Sequence, residues 1–522
     1  MNHTTARPTQ NTIRTLIEQQ AAHNSDQVFV VGPAHKKTIT YGQLLVSAQT
    51  IAASVQAHGI KQGESVAYAL SNGPDCALVI LGLLYGGYRA TAVNLVAGAS
   101  TIGYVLEHSQ TRLIITQPDH EPLLEQALNQ QALDQISDAP AKIYAEQIIG
   151  QGTRQGTGQA GNQTPPELPD INENSDGLLM YTSGTTGKPK GVVLSHKNLL
   201  AGGNNTASAH ALTVSDRALC VLPLYHINGL CVTLLGPLVS GGSVVLPEKF
   251  STSLFWQQIT DNACTWFSVV PTQISYLLHD ADNLDVNTAP GRKVRFGRSA
   301  SAPLSPDVQN AFEKRFGIPI IETMGLTETA AQILSNPLPP AIRKTGSPGI
   351  AIGNQVMIAD QQQRVVNAEI EGEVLVRGAN VMQRYLNNER ATSETLMPDG
   401  WLRTGDLGRM DSQGYVFITG RLKELIIKGG ENIAPREIDE ALYAHADIIE
   451  AAAFACPCEN YGQTVEAAVK VAAHSTVSEQ ELLDFCRQRL GPVKTPDKIH
   501  FLPELPKGPS GKIQRVKIAE LL

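Results

Sequence analysis

Apolar residues along this chain follow two rhythms in turn, a helical spacing and short unbroken runs, and the alternation predicts a fold. Ile13, Leu16, Ile17 and Ala21 stand at helical spacing over residues 12–24, and the runs at 28–31 and 38–40 then read as a short hairpin. The same spacing predicts an amphipathic helix over 41–58. Gln62-Gly63-Glu64 turns into a strand at 65–70, and an apolar helix at 74–85 is closed by Gly86-Gly87. Strands at 90–93 and 113–116 and helices at 101–108 and 122–133 continue the series. Strands separated by helical segments in this way predict an α/β fold with a parallel sheet.

The rhythm breaks at 150–169, a stretch rich in Gly, Gln, Thr and Pro and nearly devoid of large apolar groups. It buries too little to order itself and reads as a mobile insert, either a cover over the site that follows or a plain linker. Two apolar runs come next, Gly177-Leu178-Leu179-Met180 and Val192-Val193-Leu194, predicted as buried strands on either side of a polar turn. Further buried strands are expected from Leu219 to Pro223, at 266–272, entering 293–304, ending at Glu322, and at 372–377. A chain of 522 residues exceeds one hydrophobic core. The boundary is placed at Gly420, because beyond it a strand (425–428), a loop (429–432) and a helix from Pro435 begin a pattern of their own. The expectation is a large N-terminal domain of layered α/β sheets, 1–420, and a small mobile C-terminal α+β domain, 421–522.

Charge removes some functions. With 41 basic and 49 acidic residues the net charge is −8, which argues against nucleic acid or an anionic membrane as main partner. The most apolar stretch, 76–85, is far too short for a membrane span, and the first ten residues lack a signal-peptide core, so a cytoplasmic protein is expected. Seven scattered cysteines suit reduced thiols, and Cys456-Pro457-Cys458 reads as two buried thiols rather than a metal site.

The chemistry concentrates in a few loops. Residues 181–191, Tyr-Thr-Ser-Gly-Thr-Thr-Gly-Lys-Pro-Lys-Gly, offer hydroxyls, open backbone N–H groups and two lysines between strands, the make-up of a phosphate-holding loop. It is not a Walker A loop, since Pro189 follows Lys188 where that motif needs Ser or Thr and a helix. In Ile-Ile-Glu-Thr-Met-Gly-Leu-Thr-Glu-Thr-Ala at 320–330, Gly325 permits a tight turn, and Thr327 and Glu328 suit a nucleotide phosphate with a hard cation. Small residues after the strand at 293–297, Arg298-Ser299-Ala300-Ser301-Ala302-Pro303, let a flat ring approach the backbone. Asp406, beside a Gly turn in Trp-Leu-Arg-Thr-Gly-Asp, can accept both hydroxyls of a ribose.

In this order, with Gly-Arg-Leu-Lys-Glu at 420–424 and Pro-Lys-Gly-Pro-Ser-Gly-Lys-Ile at 506–513, these segments resemble the signatures of the adenylate-forming (AMP-binding) superfamily, acyl-CoA synthetase branch, over essentially the whole chain. The resemblance implies a ligase. A carboxylate attacks ATP to give acyl-AMP and pyrophosphate, and coenzyme A then displaces AMP. It implies that Thr182, Ser183, Gly184, Thr185, Thr186, Gly187, Lys188 and Lys190 hold the β- and γ-phosphates, Thr327 the α-phosphate, and Glu328 with Thr185 a Mg²⁺ ion. Ala300, Ser301, Ala302 and Pro303 would pack on adenine together with Glu322, Thr323, Met324 and Gly325. Relatives carry Gly-Gly where Ala300-Ser301 stands, and an aromatic where Met324 stands. Asp406 and Arg421 would hold the ribose, and Lys512 would be the catalytic lysine. Lys423 would be the hinge about which the small domain rotates to bring Lys428, Gly429 and Gly430 over the coenzyme A arm. Tyr225, His226 and Ala300 would line the acyl pocket, with His226 also counted among the catalytic residues.

Arg298 and Asn228 point further. A guanidinium at the end of a buried strand needs an anionic partner, which a second carboxylate or a sulfonate on a short acid would supply, unless a protein carboxylate or a phosphate does. Other readings stay open: an adenylation enzyme loading a carrier protein, a luciferase-like oxygenase, and an inactive acyl-binding or scaffold protein. A homodimer is an open expectation.

Overall fold

The computed structural model describes residues 11–35, 37–131, 140–153, 168–182, 188–279, 294–508 and 512–522. Helices and strands alternate as the apolar rhythm predicts, with small shifts at their ends. Thr12 caps the helix Ile13–Asn24, Thr40 caps Tyr41–Ala57, and Pro74 opens Pro74–Gly86, which is apolar on every side and buried throughout its last eleven residues, Cys76 to Gly86. The expected hairpin forms as Val28–Gly32 against Lys37–Thr40.

Two large sheets organise the N-terminal part. One runs in the order Arg384–Tyr385, Lys190–Ser195, Asp176–Thr182, Arg89–Ala92, Ser65–Ala69, Leu113–Thr116, Ala141–Tyr144; its last five strands are parallel and Lys190–Ser195 folds back antiparallel. The other holds a parallel set, Ile320–Leu326, Phe296–Ser299, Trp266–Val269, Arg217–Cys220, Ser243–Val245 and Val28–Gly32, with antiparallel strands at both edges. The helices Tyr41–Ala57 and Pro74–Gly86 share a continuous apolar core with both sheets, while Phe255, Trp256, Phe267, Phe312 and Phe316 fill a second core on the nine-stranded sheet.

A four-stranded antiparallel sheet, Gln355–Ala359 to Val416–Arg421, follows. The separate C-terminal domain then builds its own sheet from Ile426–Lys428, Glu431–Ile433, Ile448–Cys458, Gly462–Val471 and Lys498–Phe501. One face of that sheet carries the core of Ile426, Ile438, Leu442 and Leu482, and the other carries Phe454, Leu505 and Ile518.

Four sequence expectations change. The strand expected to reach Pro223 stops at Cys220, and the chain instead enters a π-helix, Asn228–Leu235, in which the Gly236 N–H bonds the Cys231 carbonyl. The strand expected to end at Glu322 continues to Leu326. Cys456 and Cys458 are partly exposed rather than buried, being at the end of a strand. The helix Ala145–Thr153 extends into the stretch read as an insert, of which 154–167 lie outside the described residues. Among the described residues no helix is long and apolar enough to cross a membrane.

Candidate active site

The parallel strands Arg217–Cys220, Trp266–Val269 and Phe296–Ser299 all end on one side of their sheet, the side where open α/β sheets bind ligands. Register places Ser268 directly beside Arg298, and Ile321 on its other flank. The guanidinium is buried. Its Nη1 donates to Asn228 Oδ1 at 2.7 Å and to Ser268 Oγ at 3.2 Å, its Nη2 to Gln332 Oε1 at 3.5 Å, and its Nε finds no partner. None of these acceptors is an anion, and among the described residues no carboxylate pairs with it. Burial accordingly lowers its pKa.

Asn228 joins this charge to the small-residue turn, since its Nδ2 donates to Ser301 Oγ at 3.1 Å. The first residue of the π-helix thus bridges the acid wall and the turn expected to face adenine. Ser301 sits at φ +73°, the left-handed region that glycine adopts freely, so its side chain is retained against a conformational cost. Tyr225 and His226 are half-buried on the approach to that helix. The His226 Nδ1 accepts the Asn228 N–H at 3.4 Å, and burial lowers its pKa to about 4, so it is neutral at pH 7.

Beneath the turn, Glu322 accepts the Leu304 N–H at 3.2 Å and is itself buried, as is Thr323, whose hydroxyl bonds the Ser299 carbonyl at 3.2 Å. These two support the turn from below. Met324 is half-buried at the edge of the main core. Gly325 makes no turn: a Cβ there would lie 1.7 Å from the Ala331 carbonyl oxygen, so the glycine admits the strand Ala331–Ser335 at a bulge.

The turn Thr327–Thr329 carries Glu328, whose Oε1 accepts the Tyr385 hydroxyl at 2.8 Å. Lys190 Nζ stands 4.9 Å from the centre of the same tyrosine ring, and Lys188 Nζ stands 5.2 Å from that of Tyr104. Tyr385 therefore ties the lysine flank of the phosphate loop to the carboxylate. Thr182 and Lys190 are paired across the hairpin. Ser183, Gly184, Thr185, Thr186 and Gly187 lie outside the described residues.

Asp406 and Arg421 face each other on neighbouring strands, with Arg421 Nε 2.5 Å from Asp406 Oδ1. Burial opposes the Arg421 charge, but Asp406, and behind it Glu424 and Glu328, raise its pKa. Lys512 arrives from the C-terminal domain with its ammonium 3.8 Å from Glu424 Oε1. Burial in the interdomain cleft, then Arg421 and Arg515, lower its pKa, while Glu424 and Asp406 work the other way. Four of the expected site groups, Glu328, Asp406, Arg421 and Lys512, thus share one electrostatic field.

The loop Lys428-Gly429-Gly430 is elsewhere. Lys428 pairs with Asp497 at 3.1 Å, the Gly429 N–H bonds the Tyr461 carbonyl at 2.9 Å, and both glycines have positive φ. Lys423 is exposed in the turn closed by the Glu424 N–H and the Arg421 carbonyl. Sequence reasoning missed Ser268, Gln332, Tyr385, Glu424 and Arg515. Glu424 alone left a signal, as a carboxylate beside two cations in Arg-Leu-Lys-Glu; the others become neighbours only through sheet register and chain return.

Sequence comparison agrees with this geometry. The AMP-binding enzyme model matches residues 17–386 and the AMP-binding enzyme C-terminal domain model matches 437–512. The chain belongs to the AMP-binding enzyme family. Within it the chain falls in the acyl-CoA synthetase branch of the adenylate-forming superfamily. It is 44% identical over 518 residues to the sulfoacetate--CoA ligase of Cupriavidus necator, covering 99% of both chains, and 32% identical over 466 residues to the oxalate--CoA ligase of Arabidopsis thaliana, covering 88% of this chain and 89% of that one. The crystal structure of ATP-bound MatB from Rhodopseudomonas palustris superposes with a TM-score of 0.86 at 25% identity, covering 98% of this chain and 99% of that one. This synthetase joins a carboxylic acid to coenzyme A at the expense of ATP.

Proposed function

We propose that the acid is short and carries a second anionic group, a sulfonate or carboxylate, which Arg298 binds. The observation that carries this reading is a buried guanidinium whose hydrogen-bond acceptors are all neutral. A buried cation without an anion is costly, and an oxyanion on the substrate repays that cost with charge-assisted bonds. The names of two relatives, a sulfoacetate and an oxalate ligase, support the same class of acid.

The remaining residues take roles by position. Lys512 stabilises the charge that develops when carboxylate and α-phosphate meet, two anions whose approach needs a cation in a water-poor cleft. Burial lowers its proton affinity although Glu424 and Asp406 raise it, and an anionic nucleotide would add further charge in favour of the ammonium. Thr327 contacts the α-phosphate, Lys188 and Lys190 the outer phosphates, and Asp406 with Arg421 the ribose. Ala300, Ser301, Ala302, Pro303 and Met324 form the wall against adenine. Glu328 fits a Mg²⁺ site, because that ion takes one or two protein carboxylates and completes its shell with phosphate oxygens and water. Magnesium there would neutralise phosphate charge, and Tyr385 orients the carboxylate. His226, neutral at pH 7, lines the acyl wall without adding charge to it. After adenylation the C-terminal domain turns about Lys423 and presents Gly429-Gly430, which leave room for a thin thiol arm.

Thioester formation across a panel of acids tests this. Sulfoacetate and short dicarboxylates should turn over better than saturated acids of about eight carbons, which suit an apolar pocket. Arg298→Leu should cost about a hundredfold in kcat/KM for the anionic acids, as loss of a buried charge contact does, and far less for uncharged short acids. Preference for fatty acids, or equal losses for every acid in the variant, would refute the assignment.

A further inference from the structure

One carboxylate away from the cleft is held from both domains at once. Glu450, on the strand Ile448–Cys458, is fully buried. Lys507 Nζ lies 2.8 Å from its Oε1, the Tyr276 hydroxyl donates to the same oxygen, and the Leu505 N–H reaches Oε2 at 3.4 Å. Tyr276 belongs to the helix Pro271–His279 of the N-terminal domain, and its neighbour Ser275 donates to the Ile449 carbonyl at 2.8 Å. The Lys470 and Lys507 ammonium groups stand 5.0 and 5.6 Å from the centre of the Tyr276 ring. A buried carboxylate is tolerated only when its oxygens are satisfied. Here that satisfaction is completed across the domain boundary.

Lys507 is also the base of the hairpin that carries Lys512. It bridges antiparallel to Ile513, the Gly508 N–H donates to the Lys512 carbonyl at 2.7 Å, and the Gln514 N–H to the Pro506 carbonyl at 2.8 Å. The side chain that grips the N-terminal domain and the side chain offered to the cleft therefore stand on two short segments, 506–508 and 512–514, bonded to each other. We propose that Tyr276, Glu450 and Lys507 form a latch that docks the C-terminal domain with Lys512 in the cleft. Tyr276 and Lys507 are positioning residues for adenylate formation, and their contact must break before thioester formation. The inference rests on the role given to Lys512 above.

Tyr276→Phe is the test, since it keeps the ring beneath both ammonium groups and removes only the hydroxyl. Loss of a hydrogen bond to a buried charge should slow acyl-adenylate formation about tenfold, measured at saturating ATP and acid, with the KM for both little changed. Conversion of supplied acyl-adenylate to thioester should be unchanged or faster, a split that general destabilisation does not produce. Tyr276→Leu, which also removes the ring, should deepen the first loss and not the second. Normal adenylation in Tyr276→Phe, or equal losses in both half-reactions, overturns the latch. Lys512→Ala run alongside separates the two claims: if it abolishes adenylation while Tyr276→Phe leaves the rate normal, only the latch falls, and if it leaves adenylation intact, the Lys512 assignment falls first.

Discussion

Glu322 has one carboxylate oxygen on the Leu304 N–H and the other buried without a partner. Burial pushes its pKa from an ordinary 4.5 up to about 7, although Arg436 and the Leu304 N–H pull it down. The folded protein therefore holds a proton that the unfolded chain releases, so this residue's contribution to stability is full below pH 4.5 and is lost as pH rises through 7. Buried His196 and half-buried His226 act in the opposite sense. Both are lowered from 6.5 to about 4, so their contribution is lost as pH falls through that range. Glu322→Gln keeps a hydrogen-bond acceptor for Leu304 and cannot ionise. Denaturant unfolding across pH 4.5 to 8 should show the variant gaining on the parent protein as pH rises, and the histidine contributions cancel in that difference. A difference independent of pH would mean that Glu322 is ionised in the fold without cost.

Among the elements, the alternating strands and helices were legible because both faces of a parallel sheet are apolar, which leaves short unbroken runs between helical spacings. Gly325 shows where that legibility stops. A glycine after a strand reads as a turn, but φ is not positive here and the residue is present because the next strand passes too close for a Cβ. Gly325→Ala should therefore destabilise the N-terminal domain by about 1–3 kcal/mol, the usual cost of overpacking, seen as a lower Tm. An unchanged Tm would mean that the strand Ala331–Ser335 can move aside. The π-helix Asn228–Leu235 escaped for a different reason, since its sequence, Asn-Gly-Leu-Cys-Val-Thr-Leu-Leu, is apolar but for Asn228 and Thr233 and shows no clear period. That one missed element sets Asn228 between Arg298 and Ser301, so the polar residue types of the proposed substrate wall could be read from the sequence but their hydrogen-bonded network could not.

At the scale of the molecule, the two loops proposed to serve successive half-reactions stand in different places: Lys512 is beside Glu424, and Lys428 is beside Asp497. Under the proposed roles, this orientation of the C-terminal domain would serve adenylation and thioester formation would require another, reached by rotation about Lys423. Proline at the hinge is a poor probe of this. Lys423 is the third residue of the turn from Arg421 to Glu424, where proline would push Leu422 out of the helical region and disturb Arg421, which holds Asp406. A reversible tether avoids that damage. The Ser275 hydroxyl meets the Ile449 carbonyl across the boundary at 2.8 Å, so cysteines at both positions, with the partly exposed Cys456 and Cys458 changed to serine, can be joined by a short reducible thiol-to-thiol linker that locks the domains. With the cross-link verified by mass spectrometry, the tethered protein should form acyl-adenylate and pyrophosphate at the parent rate yet fail to pass a supplied acyl-adenylate to coenzyme A, and reductive cleavage of the linker should restore the second step. Normal thioester formation by the tethered enzyme would show that the thiol reaches the acyl carbon with Lys512 still in place.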